Sequence, residues 1–330
     1  MQTRRRFLAN ASVAAGCTFG LSSGRPAQAE APPEVSRIRI VEFLPTSCDP
    51  PLFFAEDALK AEGFSEVVFR PMGDDDPFQL LADDKSDLHW DFAATNITAL
   101  DQGLPIKLLG GVHSGCLELI ANDKIKSVGD LKGRKVGITP QPHVLVHLMA
   151  AYVGLDPHRD IDWVVDEKVS PKQLFIEGKI DAFLAFPPEP QELRALKIGH
   201  TIVATSTDAP WSQYFCCFLT TSAAFAEKNP VATKRAMRAI LKSIDFCIQQ
   251  PELVAQRMMD RKFAENYDYT LQAIREIRYD RWRDFDSADT IRFYALRMRE
   301  TGFIKSSPET ILERGADWRF LEELKRELNI

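Results

Sequence analysis

From Ile38 to Phe43 apolar and polar positions alternate, which predicts a strand. Cys48 to Ala55 then opens a helix, with Asp49 placed as N-cap and Pro50 at the first helical position, and Gly63 closes it. The alternation returns at Glu66–Arg70, Asp91–Ala94, Ile106–Val112 and Leu117–Asn122. Between these strands, Asp76-Pro77 and Thr95-Asn96-Ile97-Thr98 start helices. Strands that alternate with helices at this spacing predict an α/β unit with a mainly parallel sheet.

The pattern restarts at Ser127-Val128-Gly129-Asp130, which resembles a capping box. Strands follow at Arg134–Ile138, Ile161–Val165, Ile180–Phe186 and Thr201–Ala204, with a helix expected at Pro171–Ile176. After Ile138 comes a Pro-punctuated turn and a helix bearing His143 and His147, four apart and on one face. Tyr214–Thr220 reads as a strand, and everything beyond it as helical. In Pro230–Gln249 the apolar positions Met237, Ile240, Leu241, Ile244 and Ile248 recur with a helical period. Further amphipathic segments lie at 251–261, 268–278, 289–301 and 317–328. These helices need a surface to cover, and the first α/β unit supplies it. The expected organisation is therefore lobe 1 at 36–120 and 214–330, lobe 2 at 121–213, and two linkers acting as a hinge beside a cleft.

The N-terminus stands apart. Residues 1–29 hold Arg4-Arg5-Arg6, a weakly apolar Ala/Gly/Ser stretch, Ala27-Gln28-Ala29 and no acid. The run Thr3–Leu8 resembles a twin-arginine export signal, with cleavage expected near Ala29 and a periplasmic destination. Gly16-Cys17 is the alternative, a lipoprotein site. Of the 41 basic residues four lie in this leader, so the remainder carries 37 against 47 acids, a net charge of −10. That balance argues against a nucleic acid or an anionic membrane as partner. Nothing after the leader approaches the roughly 20 unbroken apolar residues of a membrane span. Five cysteines remain, Cys48, Cys116, Cys216, Cys217 and Cys247, an odd number with no CxxC spacing.

Three stretches carry a family resemblance: Asp91–Gly111 (DFAATNITALDQGLPIKLLGG), Ser127–Ile138 (SVGDLKGRKVGI) and Leu174–Glu189 (LFIEGKIDAFLAFPPE). In this order they resemble the solute-binding proteins of ABC importers in the nitrate/sulfonate/taurine and thiamine-pyrimidine group. The resemblance implies a type II periplasmic-binding-protein fold. It further implies a small-molecule ligand between the lobes and delivery to the transmembrane subunits of an ABC permease. A monomer without a cofactor is expected.

Ligands of open α/β sheets sit beyond the carboxyl ends of strands. The residues expected there are Cys48, Thr95, Asn96, His113, Cys116, Gln141, His143, Phe186 and Glu189, with Tyr214 as an aromatic wall. Several of these ends run into helix N-termini, which favour oxyanions or polar heterocycles. His143 is expected to face the ligand and His147 to pack behind it. Sulfonate, nitrate-like anion, aromatic acid and pyrimidine all stay open.

Two other readings compete. His113, Cys116, His143, His147 and Cys48 could converge as soft metal ligands. The pair Cys216-Cys217 resembles, in shortened form, the cysteine cluster of a eukaryotic thiamine-pyrimidine synthase, but no lysine or Ser-His-Asp set has a recognisable catalytic context. Otherwise the pair is expected to pack in a strand, its two side chains on opposite faces.

Overall fold

Ile38 and Ile40 lie on one fully buried face of β1 (Arg37–Glu42), as the alternation requires. On the chain run β2 (Glu66–Pro71), β3 (Leu88–Phe92) and β4 (Ile106–Ser114). Next come β5 (Glu118–Ala121), β6 (Lys135–Ile138), β7 (Asp162–Val165), β8 (Ala182–Ala185) and β9 (His200–Ala204), and last β10 (Phe215–Ser222). The computed structural model describes residues 30–42, 48–73, 75–139 and 144–330. Pro32–Ile330 forms one compact unit.

Among the described residues ten strands make two sheets of the same design, ordered β2-β1-β3-β10-β4 and β7-β6-β8-β5-β9. In each, three parallel strands are joined by an antiparallel fourth, and that fourth strand is the one that has just arrived from the other sheet. The chain crosses at 115–117 and returns at 205–214. This is the type II periplasmic-binding-protein fold, two α/β lobes on a two-segment hinge. The fifth strand, expected to close the first unit, instead pairs with β8 and β9. Its four buried residues fit the centre of either sheet, so only the partner strands decide.

The helices behave as their patterns predict, with instructive exceptions. Pro230–Gln249 buries Met237, Ile240, Leu241 and Ile244 against the first lobe, while Ile248 near its end stays 43 % exposed. Each such side chain contributes roughly 1.5–3 kcal/mol by leaving water. The Glu34 carboxylate accepts from the N–H groups of Val231 and Ala232 at 2.9 and 2.8 Å, neutralising the positive end of that helix. Asp76 caps its helix through Phe78 and Gln79 as expected, whereas the Asp49 side chain makes no cap bond. The capping box at Ser127 is present. β3 ends at Phe92, so the next helix (Ala93–Asp101) begins two residues before Thr95. Within the stretch expected to be helical beyond Thr220, Ser222 and Ser307 cap the helices at Ala223–Lys228 and Pro308–Gly315. Among the described residues no helix is long and apolar enough to cross a membrane.

Candidate functional site

The two crossings run side by side. The Thr205 hydroxyl lies 2.9 Å from both the N–H and the carbonyl of Leu117, accepting from one and donating to the other, and Thr205 N–H donates to the same carbonyl. Gly115 has no room for a side chain, because a Cβ would fall 2.0 Å from the Thr205 carbonyl oxygen. Between the lobes at this hinge lies a cleft of about 570 Å³, including its open mouth.

Each wall comes from a different part of the chain. The first lobe contributes Phe92 at the end of β3 and Ala93, Ala94 and Thr95 in the first helical turn after it. The hinge adds Gly115, Leu117, Thr205, Trp211 and Tyr214, and β10 adds Cys216. From the second lobe come Val144, Leu145 and Leu184, and from the C-terminal helices Tyr294. Trp211 packs edge-on to Tyr152 and Phe293, and Tyr214 stacks on Phe293 at 4.0 Å, so these rings are braced. Burial pushes the Tyr294 phenol well above its usual range, and burial followed by the Asp289 charge raises Tyr214, so both act as neutral O–H groups. No charged side chain is among the described lining residues. The first turn of Ala93–Asp101, whose residues line the cleft, has no side-chain cap at Phe92. The arrangement suits a flat, uncharged molecule with hydrogen-bond acceptors at its edge.

Thr95 and Tyr214 line this cleft; the other expected residues lie elsewhere or beyond what is described. Asn96 is fully buried beneath it, donating to the Asp91 and Phe92 carbonyls and accepting from Thr220 at 2.6 Å. Phe186 stands behind the wall, edge-on to Phe92 at 6.0 Å. The Glu189 carboxylate accepts from the Phe186 N–H at 3.1 Å and shapes the turn that starts its own helix; burial raises its pKa. Gln141 and His143 lie outside the described residues. The helix they precede does reach the cleft, through Val144 and Leu145. His147 packs away from it, stacked on Trp163 at 4.0 Å and edge-on to Phe303. Trp211 and Tyr294 escaped sequence reasoning, since neither sits at a strand end. The one available signal was Pro210 beside an aromatic residue in a polar linker.

Cys48, His113 and Cys116 are brought together, but behind the cleft wall. Their ligand atoms lie within 4.8 Å of one another, as do those of His113, Cys216 and Cys217. The Cys116 sulfur is 3.7 Å from that of Cys216, which is 3.8 Å from that of Cys217. His113 Nδ1 faces the Ser114 carbonyl at 3.0 Å, and its buried Nε2 has no hydrogen-bond partner among the described residues. Thiols and one imidazole at this spacing could hold a soft ion such as zinc or monovalent copper. Hydrogen bonds from Cys116 and Cys217 hold the Cys216 thiol well below the usual cysteine range, against the opposing effect of burial; the donor Cys116 is pushed up. The strand pairing explains why Cys216 and Cys217 do not face opposite ways. Phe215 pairs with Ser114 and Cys217 with His113, so Cys216 is the extra residue of a β-bulge and loses the alternation.

Comparisons with known proteins agree with this architecture. The periplasmic nitrate-binding protein NrtA from Synechocystis PCC 6803 superposes with a TM-score of 0.74 at 15 % identity, covering 90 % of each chain. The alkanesulfonate-binding protein SsuA from Xanthomonas axonopodis pv. citri, bound to MOPS, gives 0.69 at 13 % identity over 86 % of this chain and 99 % of its own. In sequence, the 4-amino-5-hydroxymethyl-2-methylpyrimidine phosphate synthases THI12 and THI5 of Saccharomyces cerevisiae are each 22 % identical over 251 residues. That span is 69 % of this chain and 72 % of theirs. The family profile described as NMT1/THI5 like matches residues 54–253, and the chain belongs to that family.

Proposed function

We propose that this chain is the extracytoplasmic solute-binding protein of an ABC importer, and that its ligand is an uncharged, flat heteroaromatic molecule of the pyrimidine class. The observation that carries the ligand class is the cleft lining: Phe92, Trp211, Tyr214 and Tyr294 supply aromatic surface, with no charged side chain among the described residues. Nitrate or a sulfonate would call for a guanidinium or ammonium partner. A neutral ring instead gains from stacking, and its edge acceptors meet the amides that open Ala93–Asp101. The names of the yeast relatives carry the same ring, a pyrimidine, there as its phosphate.

In this reading the leader at 1–29 directs export and is removed near Ala29. The mature monomer divides into lobes at the two crossings. Ligand touches both lobes and selects the closed form by its differential affinity. That form engages the permease, and no bond is made or broken. A second reading, a His/Cys metal centre, is favoured by the cluster around His113.

One experiment separates them. The mature protein is purified from an exporting host and weighed by native mass spectrometry before and after chelator, then titrated with a neutral aminopyrimidine, nitrate and an alkanesulfonate. The solute-binding reading expects heat from the pyrimidine alone and a mass indifferent to chelation. Binding of the anions but not the pyrimidine would overturn the ligand class, and a stoichiometric metal lost to chelator would favour the second reading.

A further inference from the structure

We infer that Cys116 and Cys216 form a redox modification site, a dithiol that closes into a disulfide by exchange with a small external disulfide entering through the cleft. The site does not depend on which solute the cleft holds. Cys116 lies in the first crossing between the lobes, and Cys216 follows directly on the second. Their sulfurs are already in contact at 3.7 Å, and a bond needs about 2.05 Å. The bulge that takes Cys216 out of alternation also brings it to the cleft, where it is the only thiol among the described lining residues. Cys116 sits between two lining residues, Gly115 and Leu117. An entering reagent therefore meets Cys216 first and Cys116 next.

The chemistry balances. Cys216 thiolate attacks one sulfur of the donor disulfide and expels one small mercaptan, leaving a mixed disulfide on Cys216. Cys116 then loses its proton and attacks the Cys216 sulfur, expelling the second mercaptan. Two protein thiols are oxidised, the donor is reduced by two electrons, and both protons end on the mercaptans. The product joins the first crossing to the strand that issues from the second, at the place where Thr205 and Leu117 already hold the segments together. The hinge is thereby cross-linked, and lobe movement is restrained.

The test uses the reduced, chelator-treated mature protein, incubated with bis(2-hydroxyethyl) disulfide and then alkylated and digested for mass spectrometry. The expected result is loss of two of the five buried thiols and a Cys116–Cys216 cross-linked peptide. Amide exchange at Leu117 and Thr205 should slow in the cross-linked form. Cys116→Ser should stop at the mixed disulfide on Cys216, and Cys216→Ser should block both steps. Cys247→Ser, in Pro230–Gln249 and outside both His/Cys groups, should react like the parent. Circular dichroism of each variant establishes that it is folded, and the parent's cross-link map stands without them. A predominant Cys216–Cys217 or Cys48–Cys116 cross-link would overturn the assignment. So would five thiols that all remain alkylatable after exposure of the folded protein.

Discussion

Glu276, at the end of a C-terminal helix of the first lobe, accepts a hydrogen bond from Arg194 of the second lobe at 2.7 Å. Gln191 donates to the same oxygen at 2.7 Å, and Arg194 also reaches Glu118 at 2.5 Å. The contact ties a helix of the first lobe to the second lobe, beside Glu118 at the start of β5. Arg194 and Glu276 side chains are 37 % and 40 % exposed, which limits the pair to roughly 0.2–1 kcal/mol.

Removing that latch should open the molecule without unfolding it. Glu276→Ala is expected to enlarge the radius of gyration in solution scattering. It should weaken ligand affinity by up to about five-fold, the equivalent of about 1 kcal/mol. High salt should mimic the substitution in the parent protein. Identical scattering and affinity in parent and variant would show that the contact has no part in closure.

Asn96 is a structural residue here, and its loss should be read in stability. Asn96→Ala leaves the Thr220 hydroxyl and two carbonyls without their buried partner. The expected cost is about 2–3 kcal/mol in urea unfolding. Ligand affinity per folded molecule should stay at the parental value; a specific loss of affinity would return Asn96 to the cleft.

The lack of charge among the described lining residues can be tested by adding one. Leu145→Arg places a guanidinium on a partly buried second-lobe position of the cleft. Neutral pyrimidine binding should weaken by at least about ten-fold, or 1.4 kcal/mol, while measurable alkanesulfonate binding emerges in calorimetry. A variant that binds neither less of the first nor more of the second would place the ligand elsewhere.

Glu189 supplies a pH dependence. Burial raises its pKa in the folded protein, so its stability contribution is complete below the unfolded value and is lost as pH rises through the folded one. Ionising this buried carboxyl therefore costs stability as pH rises. Glu189→Gln keeps an acceptor for the Phe186 N–H and removes that cost. Melting should therefore rise by roughly 2–4 °C at pH 7, and the difference should vanish near pH 4. A melting difference that stays constant across this range would assign the effect to something other than ionisation.

Much of this structure was legible in the chain. Helix starts at Asp76 and Ser127 depend on side chains a few residues apart, and those interactions are local. The Pro230–Gln249 stripe is a periodicity of one segment against one surface. The cleft was legible only in part. Thr95 and Tyr214 were within reach because strand and helix ends announce themselves, whereas Trp211 and Tyr294 enter from a linker and a helix interior. Asn96 and His113 looked like ligand groups by residue type, and their burial followed from packing against β10 and the surrounding rings.

Amino-acid order alone determined the element types, the acidic balance and the two-lobed α/β plan, because hydrophobic period, capping and turn chemistry act over a few residues. Tertiary structure alone decided that β5 belongs to the second sheet and that one extra residue in β10 turns Cys216 toward Cys116. It also decided that aromatic residues from distant segments line a cleft with no charged side chain among its described residues. Each of these depends on strand register and on which segments cross between lobes, quantities set by contacts between residues remote in sequence.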